Sequence, residues 1–317
     1  MASAGNALVA ALCDDVDRLL AAEPDVRADT HDSVHQMRVA TRRLRSVLRS
    51  YRSLFEQAPT AAMGVELKWL AGLLGVARDA EVRAERFTAL LAEHAGSESV
   101  MAASDSAAAS AVSTTAAAQP DRAEFTAADI VAVTTELVGA EQTKYARAHA
   151  EILAELDGHR YRKLRDELSA WRTDPPLDRA EAARPASDAF ERVLRRDRTR
   201  LRRLVFAEPA VPPAQRVELL HDIRKSAKRL RYSCEAAAET LGAAAADLGS
   251  SAKRLQTVLG DHRDAVESRE AILARAADAP LRGRVAALYE ILADAEEIEA
   301  GKALARYPVA AAFVSAG

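Results

Sequence analysis

His35-Gln36-Met37-Arg38-Val39-Ala40-Thr41-Arg42-Arg43-Leu44-Arg45-Ser46-Val47-Leu48-Arg49-Ser50-Tyr51-Arg52 is the stretch that decides the fold class. His35, Arg38, Arg42, Arg45, Arg49 and Arg52 follow one another at intervals of 3, 4, 3, 4 and 3 residues. At about 100° per residue these positions fall in one wedge of a helix, and Met37, Leu44, Leu48, Tyr51 and Phe55 fall on an adjacent face. The stretch therefore reads as a helix with a core side and a cationic side. No acidic residue occurs from Val34 to Phe55. Like charges at i,i+4 destabilise a helix by a few tenths of a kcal/mol each, and a face selected only for solubility would intersperse glutamates.

The same arrangement returns 186 residues later, where His221-Asp222-Ile223-Arg224 leads into Lys228-Arg229-Leu230-Arg231. Downstream, Leu74-Gly75-Val76-Ala77-Arg78-Asp79 is echoed by Leu259-Gly260-Asp261-His262-Arg263-Asp264 at an offset of 185 residues, with Lys68 matching Lys253 and Leu70 matching Leu255. Two motifs repeated in near-identical register imply a duplicated helical unit. Helical periodicity predicts helices over 8–22, 32–55, 60–93, 127–156 and 159–171, then over 187–206, 213–241, 246–277 and 281–302. Pro175, Pro176 and Pro185 break the pattern between these groups. The break places one half at 1–174 and the other at 186–317, and the Ala/Ser/Thr-rich tract at 96–119 reads as an insertion in the first half.

Composition agrees with an all-α chain. Of 317 residues, 49% are hydrophobic but only 4% aromatic, and helix formers dominate, so an all-β fold lacks the residues it prefers. Cys13 and Cys234 are too few for a disulfide framework and suit a reducing compartment. The N-terminus lacks the basic segment of a secretory leader, and no run of about 18 uninterrupted apolar residues offers to span a bilayer. The expectation is a cytoplasmic protein with no membrane partner. Net charge is -3, so an anion-binding role has to come from local segregation of cations.

That segregation is evident. His221, Arg224, Lys225, Lys228 and Arg231 share one side of the second motif helix, and Arg229 flanks them. A further basic helix carries Arg192, Arg195, Arg196, Arg198, Arg200, Arg202 and Arg203 against a single acid, Asp197. Lys68, Arg78, Lys253 and Arg263 extend the cationic set, although Arg78 and Arg263 are equally well explained as held by carboxylates of their own surroundings. Cations along one helical line rise about 5 Å apart on average, and guanidinium groups bind phosphate oxygens in bidentate fashion. A linear array suits a linear polyanion. Single-stranded nucleic acid binding normally adds aromatic stacking platforms, whereas Tyr51 and Tyr232 are the aromatics near the stripes, which favours phosphates without bases. The dyads His31-Asp32 and His221-Asp222 suggest a metal phosphohydrolase, but His221 stands on a cationic stripe that repels a metal, so neither metal nor cofactor is expected.

The doubled pattern His-x-x-Arg-x-x-x-Arg/Lys-Arg-Leu-Arg, with Leu-Gly-x-x-Arg-Asp about 40 residues after the histidine, resembles the CHAD domain, the conserved-histidine α-helical domain. The resemblance implies two pseudosymmetric four-helix bundles around a basic central groove that binds inorganic polyphosphate. It carries the binding role onto His35, Arg38, Arg42, Arg43 and Arg45 and onto His221, Arg224, Lys228, Arg229 and Arg231. Arg49, Lys68, Arg78, Arg195, Arg196, Arg202, Lys225, Lys253 and Arg263 complete the expected set. The Glu-x-Glu-x-Lys signature of a fused triphosphate module is not matched, since Lys302 stands one residue too far from Glu297-Ile298-Glu299. The expectation is thus a non-enzymatic polyphosphate binder, with storage-granule association or sensing as its role and nucleic acid only a weaker competitor. The alternative is a nonspecific nucleic-acid-binding helical protein.

Overall fold

The computed structural model describes residues 2–95, 125–278 and 283–315. Every regular element among them is helical, and the backbone pairs as β-bridges only at Ser3 with Pro185 and Phe55 with Leu177. The chain is all-α. In order the helices are α1 (Ala4–Ala21), α2 (Glu23–Arg27), α3 (Ser33–Ser50), α4 (Gln57–Ala95), α5 (Ala127–Thr134), α6 (Ala140–Leu156), α7 (His159–Trp171), α8 (Arg179–Ala182), α9 (Ala186–Ala207), α10 (Pro213–Leu241), α11 (Ala243–Asp278), α12 (Arg284–Ala305) and α13 (Tyr307–Ala311). The Ala/Ser-rich tract expected to be an insertion lies outside the described residues.

The boundaries have local causes. Ser3 caps α1, its Oγ accepting from the Asn6 amide at 3.3 Å. Pro185 and Pro212 sit immediately ahead of α9 and α10, where a missing amide proton costs nothing. Gly242, at φ 64°, ends α10 in a conformation that an L side chain rarely adopts. Thr126 and Asp129 form a reciprocal capping box at the start of α5. The helix expected over 127–156 is continuous except for a π-type turn at Thr135–Gly139.

The described chain divides into two compact units, Met1–Arg78 with Ala148–Gly260 and Ala303–Gly317, and Asp79–Arg147 with Asp261–Lys302. Each draws on sequence from both sides of the proline-rich break. In the first unit α9 packs along α10, α1 along α3, and α3 meets α10. Leu8, Leu12, Val16 and Leu19 of α1 are buried with Met37, Leu44 and Val47 of α3 and Ile223 and Leu230 of α10. Tyr51 lies edge-on to Phe190 at 4.9 Å, and its hydroxyl donates to the Ser233 carbonyl at 2.8 Å. These contacts bury the apolar face of α3 and leave its cationic face directed elsewhere.

The second unit has its own core of Phe87, Leu91, Ile130, Val133, Leu137, Ile272, Leu288 and Leu292. Arg86 reaches the fully buried Glu296 with two hydrogen bonds, one of them from Nε at 2.5 Å. Pairing and hydrogen bonding are what make a buried carboxylate tolerable.

Candidate functional site

α3 and α10 carry the two repeated motifs, and both belong to the first unit. Where they meet, cations from the two repeats gather. Lys228 of α10 is held down to a pKa of about 6, first by desolvation and then by repulsion from Arg42, Arg224, Arg38 and Arg45, in that order. Three of those four arginines come from α3. Arg45 is itself pushed down by burial and by Arg49. Tyr232 floors one side of this cluster, with Arg231 Cζ, Lys228 Nζ and Arg43 Cζ at 5.2, 5.7 and 5.8 Å from its ring centroid.

Gly75 and Gly260, which stand at matching places in the second motif, serve this cluster in the same way. A Cβ at Gly75 would lie 3.8 Å from the Arg38 guanidinium, and one at Gly260 would lie 3.5 Å from Arg224 Nε. The glycines thus border the first arginine of each motif. Arg224 Nε is buried without a hydrogen-bond partner among the described residues.

Other expected site residues are engaged by carboxylates. Arg43 Nε donates to Asp15 at 2.8 Å and its Nη1 to Glu235. Its repeat equivalent Arg229 lies 3.1 Å from Asp197 and donates to Ser50 Oγ at 3.2 Å. Asp15 and Asp197 are 2% and 1% exposed. Arg196 also binds Asp197 and donates to the Ser50 carbonyl at 2.7 Å, while the Ser50 and Ser233 hydroxyls donate to the same carboxylate. Arg231 donates to Glu235 at 2.7 Å, Lys225 to Asp222 at 3.0 Å, and Arg78 and Arg263 pair with Asp32 and Glu267 at 3.5 and 2.5 Å. The carboxylate reading of Arg78 and Arg263 therefore has a named partner in each case.

The remaining expected residues are placed as follows. His35 and His221 are half-buried near the starts of the two stripes, and Lys68, Arg195, Arg202 and Lys253 are exposed. Arg202 lies over Phe206 at 5.5 Å. Toward the C-terminal end of α3, Arg45, Arg49 and Arg52 line a cleft of about 640 Å³ with Leu48, Phe55, Gln57 and Thr60.

A family model described as CHAD domain matches residues 10–273. The chain belongs to the CHAD family. Two proteins of Mycobacterium tuberculosis, MT2285 and Rv2226, both described as uncharacterized, are each 32% identical over 287 residues, covering 89% of this chain and 48% of theirs. The chain spans about half the length of these curated relatives. Among solved structures, PptA from Streptomyces chartreusis superposes with a TM-score of 0.72 at 18% identity, covering 98% of this chain and 99% of its own. The CHAD domain from the plant Ricinus communis gives 0.60 at 21%, covering 99% and 90%. At that identity the two structures establish a shared CHAD fold.

Within this CHAD chain, the carboxylates that hold the flanking arginines Arg43 and Arg229 are not evident from the motif spacing. Asp197 had a signal. It is the lone acid between Arg192 and Arg203 and shares a side with Val193, Leu194 and Leu201, all buried. Arg52 belongs to the α3 stripe by spacing and lines the cleft beside it.

Proposed function

We propose that this CHAD protein binds inorganic polyphosphate without hydrolysing it. The observation that carries the reading is the convergence of Arg38, Arg42 and Arg45 with Arg224 and Lys228, drawn from both repeats, where burial first and then repulsion from the four arginines hold Lys228 down to about 6. Such a cluster raises the free energy of the empty protein and is relieved when a dense polyanion arrives. Arginine forks match phosphate oxygens, and several in one place match several phosphates of one chain.

Against nucleic acid as the preferred ligand stands the condition of the nearby aromatics. Tyr51 is fully buried and Tyr232 is 5% exposed beneath its cations, so neither offers a stacking face to a base. A cationic groove still attracts any phosphate backbone through counterion release, which makes nucleic acid a weaker competitor. The absence of turnover is proposed because the groups meeting at the cluster are cations, which suit charge neutralisation better than activation of a water. A cytoplasmic location at polyphosphate granules fits a binder of this kind.

The test is a titration with polyphosphate of defined lengths at two salt concentrations, with RNA as competitor and orthophosphate release monitored. Binding that resists excess RNA, weakens with salt and releases no orthophosphate is the expected result. Displacement by equimolar RNA, or metal-dependent release abolished by His221→Ala, would overturn it.

A further inference from the structure

The two cationic stripes differ at one end. The position in α10 that matches Arg49 is Glu235, and the one that matches Arg52 is Ala238. Glu235 binds Arg43 and Arg231, so the second stripe closes in neutralised pairs. The first stripe instead continues through Arg45, Arg49 and Arg52, and no Lys or Arg follows from Ser53 to Leu67. A cationic track along α3 therefore stops at Arg52.

It stops in the cleft. Its volume of about 640 Å³ is enough for one or a few hydrated phosphate groups. Among the described residues, no acidic side chain lines it. Arg49 and Arg52 are exposed, and the charge on Arg45 is opposed first by burial and then by Arg49. Ser53 also lines the cleft, with Gln57 and Thr60 in the first turn of α4, and this helix end favours negative charge. Thr60 is 9% exposed and its hydroxyl is buried without a hydrogen-bond partner among the described residues.

We infer that this cleft is a subsite for the terminal phosphate of a polyphosphate chain. The inference rests on the polyphosphate reading above and adds polarity to it, with one chain end seated at Arg45, Arg49 and Arg52 and the interior running back along α3 to Lys228. An interior phosphate carries a single negative charge. A terminal phosphate has a second ionisation near pH 6, carries up to two charges at neutral pH and presents three free oxygens. Three guanidinium groups in one cleft match that higher charge. The shared chemistry is a phosphate with one bridging oxygen, which a small phosphorylated molecule also provides.

The experiment compares linear tripolyphosphate with cyclic trimetaphosphate, which has no ends, and long chains having free ends with the same chains esterified at both ends. Wild type is set beside Arg52→Ala and Arg49→Gln, both exposed positions, with thermal unfolding as the fold control. Free-ended ligands should bind roughly tenfold tighter than endless or capped ones. Either variant should erase that difference, costing free-ended chains more than capped ones. Equal binding of linear and cyclic ligands, or equal losses on capped and free chains, would overturn the terminal subsite alone and leave polyphosphate binding intact. Displacement of the chain end by equimolar orthophosphate or a sugar phosphate would assign the cleft to small phosphorylated molecules and also overturn it. Failure of wild type to bind any polyphosphate would overturn the underlying reading with it.

Discussion

Lys228 and Arg42 occupy the same place in the two repeats, and Arg42 is the charged group that most opposes protonation of Lys228. With a folded pKa of about 6 against an unfolded value near 10.4, Lys228 is mostly neutral in the empty protein at pH 7 to 8. The unfolded chain then holds a proton that the folded one lacks, so stability should rise with pH between about 6 and 10. A bound polyanion restores the ammonium. Calorimetry at pH 7.5 in buffers of different ionisation enthalpy should detect proton uptake on polyphosphate binding, and Lys228→Met should remove Lys228's share of it. Affinity should also strengthen from pH 8 to 6. Uptake unchanged in Lys228→Met would refute this role.

Asp197 is almost wholly buried and satisfies Arg196, Arg229, Ser50 and Ser233 together. Asp197→Ala strands those donors and leaves cations without their counter-charge, and loss of a buried partner of this kind costs about 3–5 kcal/mol. Urea denaturation should show a loss in that range. A loss below about 1 kcal/mol would mean the carboxylate does not organise the α9–α10 contact.

Glu235 neutralises Arg43 and Arg231 at the end of the second stripe. Glu235→Gln keeps the shape and removes the charge. Polyphosphate should then bind more tightly at low salt, by about threefold to tenfold, with a steeper dependence on salt concentration, because one more cation is left to neutralise phosphate. An unchanged slope would show that Arg43 and Arg231 do not feel the ligand.

At Gly75 and Gly260 an added methyl meets its arginine only at ordinary contact distance, 3.8 and 3.5 Å. Alanine at either place should therefore be tolerated and raise helix stability by up to about 1 kcal/mol. Replacement by leucine should displace Arg38 or Arg224 and weaken polyphosphate binding. The measurement pairs thermal unfolding with affinity for each variant, and leucine variants that fold and bind like wild type would contradict the account.

The helices and the α3 stripe were legible in the sequence because amphipathic periodicity is a local property, and the expected span 213–241 coincides with α10 itself. The repeat offset was legible too, since it needs only self-comparison. The partners of the arginines were not. Arg43 meets Asp15 from 28 residues away and Glu235 from 192, and no spacing rule reaches that far. Arg43 and Arg229 stand beside the stripe line and turn to buried aspartates on α1 and α9, whereas Arg42 and Lys228 on the line meet one another's field. Position relative to the stripe separates these two pairs, but Arg231 and Lys225 on the line also meet carboxylates, Glu235 and Asp222. Nor does any local pattern announce that Gly75 and Gly260 border the Arg38 and Arg224 side chains.

If Arg42 and Lys228 act on one ligand, the two repeats hold it together. A double-mutant cycle of Arg42→Ala and Lys228→Ala, with affinity for a long polyphosphate chain and its stoichiometry measured in the same titration, tests it most directly. The account predicts one chain per protein and strong non-additivity between the two substitutions, with very short chains bound far more weakly because they cannot reach both repeats. Two chains per protein with additive losses would contradict it and make each repeat a separate site.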